Sequence, residues 1–251
     1  MIDLTGQHIF IAGGSRGIGR ATALMAAKAG ASVSINYLSN SPAAQTVVDQ
    51  IKADGGSAAA FQGDVSLDGG AKRALDAAVA LLGPLGGVVV SAGIFEGAPL
   101  EEMDLAFWDR TLRINLTGTY LTVRAAVPHL QRSGGGSIVI YTSTAGQRGS
   151  DVFSAYATSK GGQILFMRSM AKELGVDNIR VNCIAPSWTE TDMAAPSLDA
   201  LGRENEAKKF VLGRIGQPDD VAGPTLFLLS DLARFVTGIT LTVDGGMDMR
   251  G

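Results

Sequence analysis

Cysteine is almost missing from this chain: among 251 residues there is one, Cys183. No internal disulfide can form, and nothing in the cysteine usage points to an oxidising compartment. Cys183 lies in an apolar stretch and reads as packing. Histidine is scarce as well. His8 and His129 satisfy no ligand spacing, so no metal site is expected. No apolar run reaches the ~18–20 residues of a bilayer span, and the start, Met1 to His8, lacks the basic and apolar regions of a signal peptide. Positive charge is not in excess either: 21 Lys/Arg against 24 Asp/Glu give a net −3, without a basic tail or block. That composition argues against nucleic acid and anionic membranes as partners. The expectation is a cytoplasmic protein.

What the chain has in plenty is glycine, 33 residues, nearly double the average frequency of about 7%. Such a chain needs many tight turns or close backbone approaches. Its order is an alternation. Strands are expected at 8–12, 32–37, 58–62, 87–91, 137–142, 180–184 and 240–243. Helices are expected near 18–29, 43–53, 69–82, 107–131, 155–174 and 218–229. Several strands, such as Gly87-Val-Val-Val90, are apolar throughout, as in a parallel sheet covered on both faces. The pattern predicts an α/β fold in one domain spanning 1–251: a doubly wound parallel sheet of about seven strands, with helices on both faces. The stretch 186–213 breaks the rhythm and reads as a lid over the strand ends, where ligands bind in such sheets.

Two motifs carry chemistry. The first strand runs into Ala12-Gly13-Gly14-Ser15-Arg16-Gly17-Ile18-Gly19. Chance supplies roughly 0.6 patterns of this glycine spacing in so glycine-rich a chain, so position carries the weight. The turn lies directly between a strand and a helix, where glycines admit a pyrophosphate and the helix N-terminus offers free N–H groups. The second motif is Tyr156-Ala-Thr-Ser-Lys160 at the start of a helical segment. Its i,i+4 spacing puts both side chains on one face. About 0.1 such matches are expected by chance, and Ser143 and Asn115 upstream lower the odds of coincidence further.

Together these motifs resemble the short-chain dehydrogenase/reductase family, and the likeness covers essentially the whole chain. Asp64-Val65 matches the family's adenine-side pair, and Ser91-Ala92-Gly93 stands where Asn-Ala-Gly is usual. Asn115, Ser143, Tyr156 and Lys160 match the catalytic set. Asn182, Pro186 and Thr191 match the segment beside the nicotinamide, and Asp244-Gly245-Gly246 matches the end pattern. The departures are Ala12 for Thr, Ser91 for Asn, Ser187 for Gly and Thr189 for Ile or Val. Thr189 falls where the backbone is expected to meet the nicotinamide carboxamide. The resemblance implies a Rossmann fold, a nicotinamide cofactor and a homotetramer built from helix pairs and abutting last strands.

The cofactor expected is NADP(H), with NAD(H) as the alternative. An NAD site places a carboxylate about 20 residues beyond the glycines. Position 37 is Tyr37, and the run through Leu38, Ser39 and Asn40 holds no acid. Arg16 is available to a 2′-phosphate, with Ser39 and Asn40 adding neutral hydrogen bonds.

The chemistry expected is interconversion of a ketone and a secondary alcohol. Tyr156 is the proton donor in reduction, and Lys160 lowers its pKa from about 10. Ser143 hydrogen-bonds the substrate oxygen. The resemblance gives Asn115 a water that relays protons to Lys160. Phe95, Phe153, Trp188 and Met193 are candidate pocket walls or core. One alternative is a 3-oxoacyl-carrier-protein reductase. The stretches Ser133-Gly-Gly-Gly136 and Asp177-Asn178, with Arg132 as the nearby cation, offer little to an acidic carrier. A non-catalytic NADP sensor is the second alternative, and it would not require all four catalytic residues.

Overall fold

Residues 2–249 are described in a computed structural model of the chain. Seven strands form one sheet: β1 (His8–Ala12), β2 (Ser32–Tyr37), β3 (Ala58–Gln62), β4 (Gly87–Val90), β5 (Gly136–Tyr141), β6 (Ile179–Pro186) and β7 (Thr240–Val243). Their order is β3-β2-β1-β4-β5-β6-β7, and every pairing is parallel. Strand order reverses between β1 and β4, which opens a crevice at their carboxyl ends. The candidate site residues gather there.

The connecting helices are α1 (Gly17–Lys28), α2 (Ser41–Ala53), α3 (Gly70–Leu82), α4 (Leu105–Leu112), α5 (Gly118–Arg132), α6 (Thr144–Arg148), α7 (Ser154–Leu174), α8 (Ala195–Leu201), α9 (Arg203–Ala207) and α10 (Pro218–Leu229). Strand alternation divides the core in two. Ile9, Ile11, Val33, Ile35, Val89, Val139 and Ile184 face a layer from α1, α2 and α10, including Ala23, Val47, Ile51 and Leu226. Phe10, Val88, Val90, Ile138, Ile140 and Val181 face the other layer, with Leu75 of α3, Leu130 of α5 and Met167 of α7. Cys183 is buried in this second layer and bears out the reading as packing. Burial pushes its thiol up to about 12.

The helix expected over 107–131 is interrupted. Arg113–Thr117 forms a π-helical turn between α4 and α5. Hydrophobic periodicity does not register such an insertion, yet it frequently marks a functional position. Among the described residues no helix is long and apolar enough to cross a membrane, and no cluster of His, Cys, Asp or Glu could hold a metal. His8 is buried against the Gly83 carbonyl and Ser34 Oγ, and His129 lies 2.8 Å from Asp76.

Candidate active site

The glycine turn closes tightly on the crevice. Gly13 has φ +80°, and a Cβ there would lie 2.7 Å from the Ala92 nitrogen. A Cβ on Gly19 would lie 2.2 Å from the Gly13 carbonyl oxygen. Only glycine fits either position. Arg16 is exposed at the N-cap of α1. Thr191 stands over the turn, with its Cγ2 3.4 Å from where a Gly17 Cβ would be.

A single cavity of about 1080 Å³ joins these parts. Of the expected cofactor residues, Gly13, Ser15, Arg16, Gly17, Ile18, Tyr37, Ser39, Asn40, Asp64, Val65, Ser91, Ala92, Gly93, Pro186, Thr189 and Thr191 all line it. Gly19 lies behind the turn. The open glycine cradle and the mouth of α1 therefore fit a dinucleotide. Several of these side chains have other duties, Asn40 and Asp64 among them. Asn40 caps α2, its Oδ1 accepting from the Ala43 N–H at 3.0 Å. Asp64 Oδ1 accepts from the Ser66 N–H at 2.9 Å and from Ser66 Oγ at 2.6 Å.

Tyr156, Lys160 and Ser143 meet in the same cavity. Ser143 caps α6, accepting from the Ala145 N–H at 3.1 Å, and acts on the Tyr156 phenol in the direction that lowers its pKa. Lys160 is buried and donates from Nζ to the Tyr141 carbonyl at 2.7 Å. The same ammonium lies 5.7 Å from the centre of the Tyr156 ring. Tyr141 is held by hydroxyl contacts to Thr22 and Thr225 at 2.6 and 2.8 Å. This anchor carbonyl comes from an apolar strand and leaves no motif in the sequence.

The expected electrostatics need correcting. Burial pushes the Tyr156 phenol up to about 12, outweighing the lowering hydrogen bond from Ser143. Burial also draws Lys160 down to about 8. Burial therefore keeps Tyr156 a protonated acid near neutrality, with Lys160 held at the Tyr141 carbonyl and itself desolvated.

Asn115 is tied into its surroundings by several bonds. It lies in the π-helical turn, fully buried. Its Oδ1 accepts from the Ile94 N–H at 2.8 Å, while Nδ2 donates to the Ile94 carbonyl at 3.0 Å and to Ser159 Oγ at 3.1 Å. Its main-chain carbonyl accepts from Gln163 and Thr119. The side-chain amide is thus a brace between the chain after β4 and α7.

Aromatic rings wall the space next to Tyr156. Phe95 stacks on Phe153 at 4.4 Å and meets Tyr156 and Trp188 edge-on at 4.9 and 5.6 Å. With Met193 they line the cavity, which decides between wall and core in favour of wall. Trp188 also packs against a small cluster of Ala194, Leu198, Phe210 and Ile215 beneath α8 and α9. Glu206 of α9, which the sequence reading passed over, lines the cavity too.

This parallel sheet with a glycine turn and a Tyr-x-x-x-Lys pair at its carboxyl edge defines a nicotinamide-dependent oxidoreductase. Comparison with known proteins agrees: residues 12–248 match the family described as enoyl-(acyl carrier protein) reductase. The chain belongs to the short-chain dehydrogenase/reductase family. It is 39% identical to an L-rhamnose 1-dehydrogenase (NAD(P)(+)) of Sphingomonas sp., over 97% of each chain. It is 37% identical to a 3-oxoacyl-[acyl-carrier-protein] reductase of Synechocystis sp., over 99% of this chain and all of that one. A short-chain type dehydrogenase/reductase from Mycobacterium ulcerans superposes with a TM-score of 0.92 at 35% identity, covering 98% of this chain and 90% of the other.

Proposed function

We propose that this protein interconverts a ketone and a secondary alcohol of a small molecule with NADP(H), through Tyr156, Lys160, Ser143 and Asn115. The observation that carries this is the meeting of Tyr156, Ser143 and Lys160 in the cavity that the glycine turn opens. A nicotinamide bound in this cavity would supply the hydride and, when oxidised, a positive charge. In reduction the Tyr156 hydroxyl donates its proton to the carbonyl oxygen, and its raised pKa keeps that proton in place at neutrality. Ser143 donates a hydrogen bond to the same oxygen as negative charge builds on it. Lys160 provides a buried cation that steadies the tyrosinate formed and has donors for the ribose hydroxyls. Asn115 acts as a positioning residue that fixes Ile94 and Ser159 around this centre.

NADP(H) over NAD(H) is supported by the edge of the cavity. Tyr37, Leu38, Ser39 and Asn40 bring no carboxylate, and Arg16, exposed at the N-cap of α1, lines the same cavity. We read the chain as one catalytic domain whose segment 186–213 covers the site, in a cytoplasmic homotetramer. The tetramer is supported by exposed apolar side chains at Leu165 on α7 and at Phe235 before β7. A monomeric mass in light scattering at micromolar concentration overturns it. The carrier-protein reductase remains the second reading because of the 37% identical relative.

The test follows NADPH and NADH oxidation separately with ketones, diketones and 3-oxoacyl thioesters, alongside Tyr156→Phe. NADPH-dependent turnover, lost in the variant, is the expected result. Preference for NADH overturns the cofactor assignment, and an unaffected variant overturns the role of Tyr156.

A further inference from the structure

Glu206 is the one buried charged side chain of the segment 186–213. It is only 2% exposed. Its Oε1 accepts from Lys209 Nζ at 2.6 Å, whereas Oε2 has no hydrogen-bond partner at all. A buried polar atom left unpaired costs roughly 1–3 kcal/mol, and more when charged, so such atoms call for an explanation. Both Glu206 and Lys209 line the cavity that holds Tyr156.

Helix α9 holds this carboxylate in place. Arg203 is paired with Glu190 and, at 2.8 Å, with Asp199. Ala207, next to Glu206, packs on the same cluster as Trp188. Trp188 meets Phe95, and Phe95 meets Tyr156. Side-chain packing therefore runs from α9 through Trp188 and Phe95 to the Tyr156 ring.

The geometry points to Glu206 Oε2 as the acceptor for a second, non-reacting hydroxyl of the substrate, which makes the substrate a polyhydroxylated ketone or alcohol. This rests on the reductase reading above and deepens it. The Lys209 ammonium decides which donor is suited. It already balances the Glu206 charge, so a cationic ligand would be repelled by Lys209, while a phosphate would be repelled by Glu206. A neutral O–H satisfies Oε2 without adding charge. Aromatic faces and a lone acceptor lining one cavity fit a molecule with an apolar C–H face and hydroxyls at its rim. An acyl chain leaves the acceptor buried and unpaired, and sites with this property discriminate strongly against the analogue lacking the donor.

The test uses the full chain with paired probes that differ in their hydroxyls. Aldohexoses are compared with tetrahydropyran-2-ol in oxidation, and 4-hydroxycyclohexanone with cyclohexanone in reduction. Wild type, Glu206→Leu and Glu206→Gln are assayed for kcat/KM. Glu206→Leu is expected to lose at least tenfold on a hydroxylated probe and nothing on its plain partner. Glu206→Gln, which keeps an acceptor oxygen, is expected to stay within a few-fold of wild type. The preferred hydroxylated probe should also raise the melting temperature of wild type and not of Glu206→Leu. Equal losses on both members of each pair, or an effect confined to the KM for cofactor, would overturn the assignment while leaving the reductase reading intact. Absence of turnover of every probe by folded wild type would sink both.

Discussion

Lys160 Nζ and the main-chain carbonyl of Tyr141 are hydrogen-bonded at 2.7 Å inside the protein, which joins α7 to the end of β5. The bond fixes the ammonium without neutralising it, and burial lowers its pKa from 10.5 to about 8. Between those values the unfolded chain binds more protons than the folded one, so this group's contribution to stability rises with pH. It is fully present above about 10.5 and lost as pH falls through 8. The full span is on the order of 3 kcal/mol. Wild-type stability relative to Lys160→Met is therefore expected to climb between pH 8 and 10.5 in denaturant titrations. A flat difference across that window contradicts the assignment. The variant should also lose at least about 100-fold in turnover.

Tyr156 titrates in the opposite sense. Its pKa is raised from 10 to about 12 by burial, so reduction, which needs the protonated phenol, is expected to be independent of this group through neutral pH. Alcohol oxidation needs the tyrosinate, and its kcat/KM should increase about tenfold per pH unit below the free-enzyme pKa. A plateau in oxidation already reached at pH 7 would show that another group takes the proton. Tyr156→Phe should remove the pH dependence along with roughly 100- to 10,000-fold of the rate.

Asn115 is braced by three side-chain hydrogen bonds in a buried setting. Asn115→Ala leaves the Ile94 N–H and carbonyl unpaired, at an expected cost of about 2–4 kcal/mol in urea unfolding. A change below about 0.5 kcal/mol would mean that Ile94 finds other partners and that the brace is dispensable.

Much of this architecture was legible in the sequence because a two-sided parallel sheet writes itself as short apolar runs. The bounds of β1, β2, β3 and β7 agree with expectation residue for residue. The glycine turn was equally legible, since its chemistry resides in main chain that only glycine permits. What escaped depends on tertiary contact. The π-helical turn at Asn115 inserts a residue into an otherwise helical pattern, and α6, α8 and α9 are too short to show a period. The Tyr141 carbonyl has no side-chain signature. Glu206 sits in Arg203-Glu-Asn-Glu206, which reads as a solvated helix face until the fold buries one of its acids. The raised pKa of Tyr156 likewise comes from enclosure by residues far apart in sequence.

Gly13 gives the sharpest test of the cofactor site. Its φ of +80° is unfavourable for any side chain, and an added methyl would meet the Ala92 nitrogen at 2.7 Å. That contact and the one with the Ala92 Cα at 2.8 Å are with main chain, so neither rotamer change nor side-chain movement relieves them. Gly13→Ala must shift the turn against the end of β4, which displaces the wall that a pyrophosphate would lie on. Binding of NADPH, followed by fluorescence titration, is expected to weaken at least tenfold. Arg16→Ala provides the contrast, because Arg16 is exposed and its removal leaves the turn intact. It should weaken NADPH about 10-fold or more through loss of a charge-assisted contact, and leave NADH nearly unchanged. If Arg16→Ala weakens both cofactors equally, the guanidinium is not reading the 2′-phosphate, and the preference must come from the Tyr37–Asn40 edge.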